Sequence, residues 1–148
     1  MYDQILIPID DSACSQKAIQ EGLQFAKHFG AEVMFLHVTQ DPMQVAFAHP
    51  DGYAYVNDLY DSIQKAAQQL LSKVEEQAKQ IGVKASTKLI EKRFPADVIC
   101  AEAENVDLVI MATHGRRGFR RMALGSVTEE ALRRSSVPYL IVHCPDAR

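Results

Sequence analysis

The chain has 148 residues, with 16 Lys and Arg against 19 Asp and Glu, a formal charge of −3 and 47% hydrophobic residues. This length suits one domain with its own hydrophobic core, expected to span residues 1–148, and the charge balance argues against bulk affinity for nucleic acid or an anionic membrane. No apolar stretch approaches the roughly 20 residues that a membrane-spanning helix needs.

Hydrophobic periodicity switches repeatedly between the continuous apolar runs of buried strands and the spacing of amphipathic helices. In chain order, this periodicity predicts a strand at 4–9, a helix from 13 that Gly30 ends, and a strand at 32–38. It then predicts a helix that is marked by apolar residues from 60 to 81 and ended by Gly82, and a weakly alternating edge strand at 83–90. The last predicted elements are a short helix with Pro95 in its first turn, a strand at 107–112, a helix at 126–135 and a strand at 138–143. Strands that alternate with helices predict a mostly parallel sheet with helices on both faces. Ligands of such sheets bind beyond the carboxyl ends of the strands, where the strand order reverses.

The segment after the fourth strand combines three features of an anion site. It contains glycines at 115, 118 and 125 and arginines at 116, 117, 120 and 121. Glycine lets the backbone approach a ligand closely, and arginine donates paired hydrogen bonds to phosphate oxygens. Ser126 and Glu129 have capping-box spacing, which predicts that the last helix starts at Ser126 with its unpaired N–H groups beside the loop. Solvated arginines and a capping serine would also explain these residues, but their coincidence at one strand end favours phosphate binding.

The same segment resembles the nucleotide loop of the universal stress protein family, whose ATP-binding members carry Gly-x-x-Gly-x9-Gly-Ser/Thr. The corresponding residues here are Ala112, Gly115, Gly125 and Ser126, with the nine-residue spacer intact. The sequences at 5–10, 36–38 and 137–142 are similar to the family as well, so the resemblance runs from one end of the chain to the other. It implies a Rossmann-like, adenine nucleotide alpha hydrolase-like α/β fold, in which a five-stranded parallel sheet has the strand order 3-2-1-4-5.

The resemblance also implies a site for ATP, with or without Mg²⁺. The residues implied to bind it are Pro8, Ile9, Asp10, Val38, Met111, Ala112, His114, Gly115, Arg116, Arg117, Gly125, Ser126, Val127 and Thr128. Residues 8, 38 and 111 would line an adenine pocket, residue 10 would face the base or ribose, and residues 112 and 115 would pass under the ribose and first phosphates. Residues 125–128 would hold the outer phosphates. Ordinary core packing would equally explain the three pocket residues, and a turn before the first helix would explain Asp10.

Ala112 departs from the family motif, which has glycine at this position. If the backbone φ here is positive, the Cβ costs about 1 kcal/mol or more and crowds the sugar. If φ is negative, alanine is the smallest tolerable change.

No general base for ATP hydrolysis is evident. His114 is the titratable candidate, and a loop residue hydrogen-bonded to backbone is the alternative. The P-loop motif Gly-x4-Gly-Lys-Ser/Thr and the dinucleotide motif Gly-x-Gly-x-x-Gly are absent, so an efficient ATPase or a dehydrogenase is not supported. The sequence therefore predicts a stress-response protein that uses ATP as a switch or sensor, with slow hydrolysis at most and no catalytic or metal-ligating residue assigned.

Two other functions fit the predicted fold class. A phospho-receiver domain has this length and topology, but it needs an Asp that ends strand three and a Lys that ends strand five. Residues 91–93 are Glu-Lys-Arg and residues 143–145 are His-Cys-Pro, so the receiver function is excluded. A nucleotide-free dimeric scaffold that acts through protein contacts remains the alternative.

Partners are indicated by two segments. The apolar strand Tyr139 to Val142 is expected at a sheet edge, where unpaired backbone groups accept another strand. The family resemblance implies a homodimer through this strand, and the alternative is that the C-terminal tail covers the strand.

The connection at 39–57, with aromatic rings at 47, 53 and 55 and a histidine at 49, exceeds the usual length of about 2–6 residues. It is interpreted as a flap near the adenine side or a dimer contact, or else as a loosely ordered loop.

The cysteines and the N-terminus indicate a cytoplasmic protein. Cys14, Cys100 and Cys144 are odd in number, far apart and without Cys-x-x-Cys spacing, so neither a disulfide framework nor a zinc site is expected. They are predicted to be reduced, mostly buried thiols. The first residues lack the basic start and long apolar centre of a signal peptide.

Positive charge is concentrated in the loop after the fourth strand. Residues 115–121 hold four of the 16 basic side chains, which leaves 12 basic against 19 acidic ones on the rest of the chain. Such a distribution repels long polyanions and attracts a small anion to that loop. The net charge therefore disfavours nucleic acid as a partner but permits a nucleotide.

Overall fold

A computed structural model describes residues 1–46, 52–114 and 124–144 of the chain. The strands are β1 (Gln4–Pro8), β2 (Glu32–Val38), β3 (Ala85–Ile90), β4 (Leu108–Ala112) and β5 (Tyr139–Val142), and the helices are α1 (Ala13–Phe29), α2 (Pro42–Ala46), α3 (Val56–Ile81), α4 (Pro95–Ala103) and α5 (Ser126–Arg134). One turn of 3₁₀ helix covers Gly52–Tyr55. Each predicted element is present, and α2 and the 3₁₀ turn are additions within the long connection after β2.

The five strands described form one parallel sheet of order β3-β2-β1-β4-β5, which confirms the predicted fold class. β1 pairs with β2 on one side and with β4 on the other, so the strand order reverses between β1 and β4. β3 and β5 are the two edge strands, as their patterns predict. The switch point between β1 and β4 is the position where such sheets bind ligands.

Alternate residues of the central strands supply two cores, one on each face of the sheet. Ile5 and Ile7 of β1 pack with α1 and α3, whereas Leu6 packs on the other face with α4 and α5. All three side chains are fully buried. Because both faces are covered, the strand appears in the sequence as a continuous apolar run rather than an alternating one.

Two glycines end the long helices as predicted. Gly30 and Gly82 follow α1 and α3 with φ of 67° and 78°, and the N–H group of each bonds back to a carbonyl of the last turn. A side chain at either position would be strained in this left-handed conformation. After these caps the chain returns to the sheet, where β2 pairs with β1 and β3 pairs with β2.

The prediction of reduced thiols is wrong for two of the three cysteines. Cys14 and Cys144 form a disulfide rather than two reduced thiols, and Cys100 is the free cysteine. The odd count and the separation of 130 residues concealed the pair. The parallel sheet brings the end of β5 beside the start of α1, and no local pattern reveals that contact.

The helices described are too short or too polar to cross a lipid bilayer. Within the connection at 39–57, Phe47 and His49 lie outside the described residues, as does the side chain of Tyr53. Its interpretation as a flap or a dimer contact stays a prediction.

Candidate functional site

The carboxyl ends of β1, β2 and β4 meet at one edge of the sheet. Pro8 is the last residue of β1, Val38 the last of β2 and Ala112 the last of β4. The register places Pro8 beside Leu36. The sheet therefore brings the residues implied for the adenine pocket to the same edge as the chain that leads into the glycine- and arginine-rich loop.

Apolar side chains at this edge also belong to the core. Met111, 6% exposed, and Val38 pack on the face covered by α4 and α5. Ile9, also 6% exposed, packs on the opposite face. Pro8 is half-buried. Ile9, Val38 and Met111 thus have packing roles, which for Val38 and Met111 is the alternative that the sequence left open. A role in binding a base stays a prediction.

Asp10 is built into the turn that starts α1. Its Oδ1 accepts the N–H group of Ser12 at 2.8 Å, and its own N–H group donates to Oγ of Ser15 at 2.9 Å. Ser12 caps the helix, since its Oγ accepts the N–H group of Ser15. These bonds give Asp10 the turn role that was the alternative to ligand binding, and they hold its carboxyl group at the end of β1.

His37 joins the ends of β1 and β2. Its ring is 6% exposed, and Nδ1 donates to the carbonyl oxygen of Ile9 at 2.8 Å. The N–H group of Ile9 donates in turn to the carbonyl of Leu36 at 2.8 Å. These bonds give His37 a structural role, and they extend the hydrogen bonding between β1 and β2 one residue past the end of β1.

Thr113 is the junction that sequence reasoning missed. Its side chain is 2% exposed, and its N–H group donates to the carbonyl of Val142 at 3.1 Å. Its own carbonyl accepts the N–H group of Gly125 at 2.6 Å. Its Oγ1 accepts the N–H group of Cys144 at 3.4 Å and lies 3.1 Å from Nδ1 of His114. A small polar residue directly after a fully buried strand was the only signal.

The start of α5 is fastened to the end of β4. Thr128 is 3% exposed and its hydroxyl donates to the carbonyl of Ala112 at 3.0 Å. Together with the bond from Gly125 to Thr113, this fixes the first turn of the helix beside the switch point. Val127 packs partly into the α4–α5 core.

The predicted capping box is not formed. The helix begins at Ser126 as expected, but Gly125 is the N-cap, and glycine has no side chain with which to cap the helix. Glu129 pairs instead with Arg133 at 2.8 Å, one turn along the helix. Ser126 is exposed. The N-cap residue itself therefore leaves the N–H groups of the first turn without a side-chain cap, and a helix start of this kind attracts anions.

Ala112 meets no backbone strain at the family's glycine position. Lys92, with φ of 56°, is the one non-glycine residue with a positive φ among residues 1–46, 52–114 and 124–144. Ala112 therefore has a negative φ, as expected for the last residue of a strand. Of the two alternatives left open, the strain-free one applies.

Other predicted residues are placed only in part. His114 is half-buried, and its Nδ1 lies 3.1 Å from Oγ1 of Thr113. Gly115, Arg116 and Arg117 lie outside the described residues. Within the described ranges, His, Cys, Asp and Glu side chains form no group of three that could hold a metal ion.

Two carboxyl groups with lowered pKa values lie at the amino ends of the strands, at the edge of the sheet opposite the candidate site. The N–H groups of Gln4 and Asp3 lower the pKa of Asp107 at the start of β4, since both donate to its carboxylate at 2.9 Å. A hydrogen bond from Lys84 lowers the pKa of Glu32 at the start of β2. These carboxylates stabilise the strand starts and do not contribute to the candidate site.

Comparison with known proteins identifies relatives along nearly the whole chain. The model of the universal stress protein family matches residues 1–143. Universal stress protein MJ0531 of Methanocaldococcus jannaschii is 33% identical, over 98% of this chain and 84% of its own length. The solved structure of MJ0577, from the same organism, is 27% identical with a TM-score of 0.82 and covers 99% of both chains.

A third likeness concerns the fold alone. The universal stress protein of Archaeoglobus fulgidus, solved in complex with dAMP, is 15% identical with a TM-score of 0.68. The match covers 95% of this chain and 97% of that one.

Proposed function

The chain belongs to the universal stress protein family, and from that premise we propose that it binds ATP or a related adenine nucleotide at the carboxyl ends of β1, β2 and β4. Bound nucleotide would act as a switch or sensor in a stress response, with slow hydrolysis at most. The protein is proposed to be cytoplasmic.

The observation that carries the proposal is the start of α5. Thr128 and Gly125 hold this helix end against Ala112 and Thr113 at the end of β4. The N-cap residue, Gly125, supplies no side-chain cap, and we propose that the first N–H groups of the helix and the exposed hydroxyl of Ser126 bind phosphate oxygens. A helix start held beside a switch point suits a phosphate that continues from a base bound between the strands.

Different residues of the proposed site would contact the adenine, the ribose and the phosphates of the nucleotide. Pro8, Val38 and Met111 would contact the adenine, and Asp10 would reach the base or ribose. Ala112 fits a close approach to the sugar, because its Cβ is the smallest side chain and its φ is unstrained. The outer phosphates would meet residues 125–128, while Gly115, Arg116 and Arg117 would supply close backbone and positive charge by the family resemblance.

An adenine nucleotide is the ligand class to test first. The Archaeoglobus fulgidus relative was solved in complex with dAMP, which carries an adenine and a phosphate. ATP would add two phosphates for the arginine-rich loop to neutralise. ATP, ADP and dAMP share the adenine and differ in the charge of their phosphates, so a comparison of their affinities separates the two contributions.

The alternative is a nucleotide-free scaffold that dimerises through β5. This strand forms one edge of the sheet, and Leu140 in its centre is 38% exposed. An apolar edge strand can pair with its two-fold mate. The same homodimer is also compatible with nucleotide binding, so only ligand measurements separate the two functions.

Calorimetric titration with ATP, ADP and dAMP, each with and without Mg²⁺, tests the proposal. Ser126→Ala should weaken ATP binding by about tenfold, because it removes one hydrogen bond to a charged group. Ser62→Ala, an exposed serine of α3, is the matched control and should bind like the wild type. Gly115→Val should abolish binding by blocking the close approach.

Two results would contradict it. The first is a wild-type protein that gives no heat with any of the nucleotides and releases none on denaturation after purification. The second is equal affinity of Ser126→Ala, Gly115→Val and wild type, which would place the nucleotide elsewhere.

A further inference from the structure

Two cysteines at opposite ends of the chain meet beside the candidate site. Cys14 is the second residue of α1 and Cys144 is the second residue after β5. Their Cα atoms are 5.2 Å apart and their sulfurs are bonded. This Cα separation falls within the range of about 4.4–6.8 Å usual for disulfides.

A second contact holds residues 143 and 144, the described segment after β5, against α1. Lys17 lies three residues after Cys14 on the same face of α1, and its Nζ donates to the carbonyl of His143 at 2.8 Å. Among the described residues, His143 and Cys144 are therefore attached to α1 by one hydrogen bond and one covalent bond. Only the covalent bond responds to reducing conditions.

Hydrogen bonds connect this segment to the start of α5. The N–H group of Cys144 donates to Oγ1 of Thr113, whose carbonyl accepts the N–H group of Gly125. Gly125 is the N-cap of α5. A displacement of Cys144 thus removes a partner from the residue that fixes the proposed phosphate end of the site.

The three cysteines differ in environment. Cys14 and Cys144 are half-buried, so small thiols can reach the bond. Burial raises the pKa of the Cys100 thiol, which disfavours its reactive thiolate form. Cys100 packs between α4 and α5, with Sγ 4.0 Å from the carbonyl of Ala131. It serves as the internal control.

We propose that Cys14 and Cys144 form a reversible redox site, which clasps the segment after β5 onto α1 and steadies the start of α5 through Thr113. In a cytoplasmic protein such bonds are usually transient or redox-sensing.

The co-reactants are a low-molecular-weight disulfide and its thiol. One protein thiolate attacks the external disulfide, forms a mixed disulfide and releases one thiol. The second protein thiolate then attacks the mixed disulfide, closes the bond between Cys14 and Cys144 and releases the second thiol. Two electrons and two protons pass from the protein to the external disulfide, and excess thiol reverses both steps.

One consequence rests on the proposed function. The oxidised protein should bind nucleotide more tightly than the reduced protein, because the clasp orders Thr113 and Gly125 before the phosphate arrives. Couplings of this kind are commonly about fivefold or more in affinity.

The redox state is measured first, without nucleotide. Protein equilibrated with oxidised or reduced glutathione is denatured, alkylated with iodoacetamide and weighed intact. The oxidised form should carry one alkyl group, on Cys100, and the reduced form one on each of its three cysteines. Hydrogen exchange of the peptides that cover β5 and the start of α5 should be faster in the reduced form.

Cysteine-to-serine variants show which cysteines cause the change in hydrogen exchange. Cys14→Ser and Cys144→Ser should each exchange like the reduced wild type whatever the glutathione ratio. Cys100→Ser should keep the full redox response. Alkylation of all three cysteines under every glutathione ratio, or exchange rates that do not respond to reduction, would overturn the clasp.

Nucleotide titrations of the two forms complete the test. A fivefold weaker ATP affinity after reduction, absent from Cys14→Ser, supports the coupling. Equal affinities overturn the coupling. If neither form binds nucleotide, the proposed function fails, while the clasp is still decided by the alkylation and exchange results.

Discussion

The hydroxyl of Thr128, in the first turn of α5, donates a hydrogen bond to the carbonyl oxygen of Ala112, the last residue of β4, at 3.0 Å. Both residues are buried, at 3% and 8% exposure. The strand leaves the sheet at Ala112, and the helix returns to the same point after the loop. The bond therefore closes the loop at its base.

Thr128→Val should lower the free energy of unfolding by about 1–3 kcal/mol, because it leaves the buried carbonyl of Ala112 without this donor. Urea denaturation measures the change. Thr87→Val on the edge strand β3 is the matched control, since Thr87 makes only a long exposed bond to Glu75, and it should change stability by less than about 0.5 kcal/mol. Equal losses of unfolding free energy in the two variants would show that the buried Thr128 bond stabilises the protein no more than the exposed Thr87 bond.

Ala112→Gly should restore the family motif without improving nucleotide binding. Alanine is unstrained here, so glycine relieves nothing and loses more backbone entropy on folding, about 0.5–1 kcal/mol. The expected result is a small loss of stability in urea and an ATP affinity within about threefold of wild type. A much tighter complex would mean that the Cβ crowds the sugar after all.

Asp107 should make stability depend on pH at the acidic end. Its folded-state pKa is lowered by the N–H groups of Gln4 and then Asp3, so its contribution is present above the unfolded-state pKa and is lost as pH falls through the lower folded-state value. Asp107→Ala should therefore be less stable than wild type at pH 7, and the difference should shrink below about pH 4.

Urea midpoints measured across this pH range provide the test. Asp61→Ala on the exposed surface of α3 is the control and should run parallel to wild type. A constant gap between Asp107→Ala and wild type at every pH would show that the carboxylate charge is not responsible.

Gly22→Ala should destabilise the protein, although alanine favours helices by about 1 kcal/mol. A Cβ at Gly22 would lie 2.5 Å from Cδ1 of Ile7, which is fully buried in β1. Overpacking of this kind costs about 1–3 kcal/mol, so a net loss near 1 kcal/mol is expected.

Ile7→Val removes the methyl group that would clash. In that background Gly22→Ala should become neutral or stabilising, and the four proteins form a double-mutant cycle. Additive losses would place the strain at another contact.

Much of the fold was predictable because its signals are local. Gly30 and Gly82 end their helices where a left-handed residue was expected, and the continuous apolar runs became strands covered on both faces. The family motif predicted where a nucleotide would bind, since spacing along a loop is a property of the chain. By contrast, the capping-box spacing of Ser126 and Glu129 did not predict Gly125 as the N-cap of α5, where its N–H group bonds to the distant carbonyl of Thr113.

The sequence by itself determined the order of strands and helices and, through the family motif, the edge of the sheet where a nucleotide would bind. Only the tertiary structure decided the disulfide between Cys14 and Cys144, the junction at Thr113 and the unstrained backbone of Ala112. The physical reason is the separation along the chain over which each interaction acts. Periodicity and capping act over a few residues, whereas these contacts form only after parallel crossovers bring the end of β5, the end of β4 and the start of α1 to one edge of the sheet.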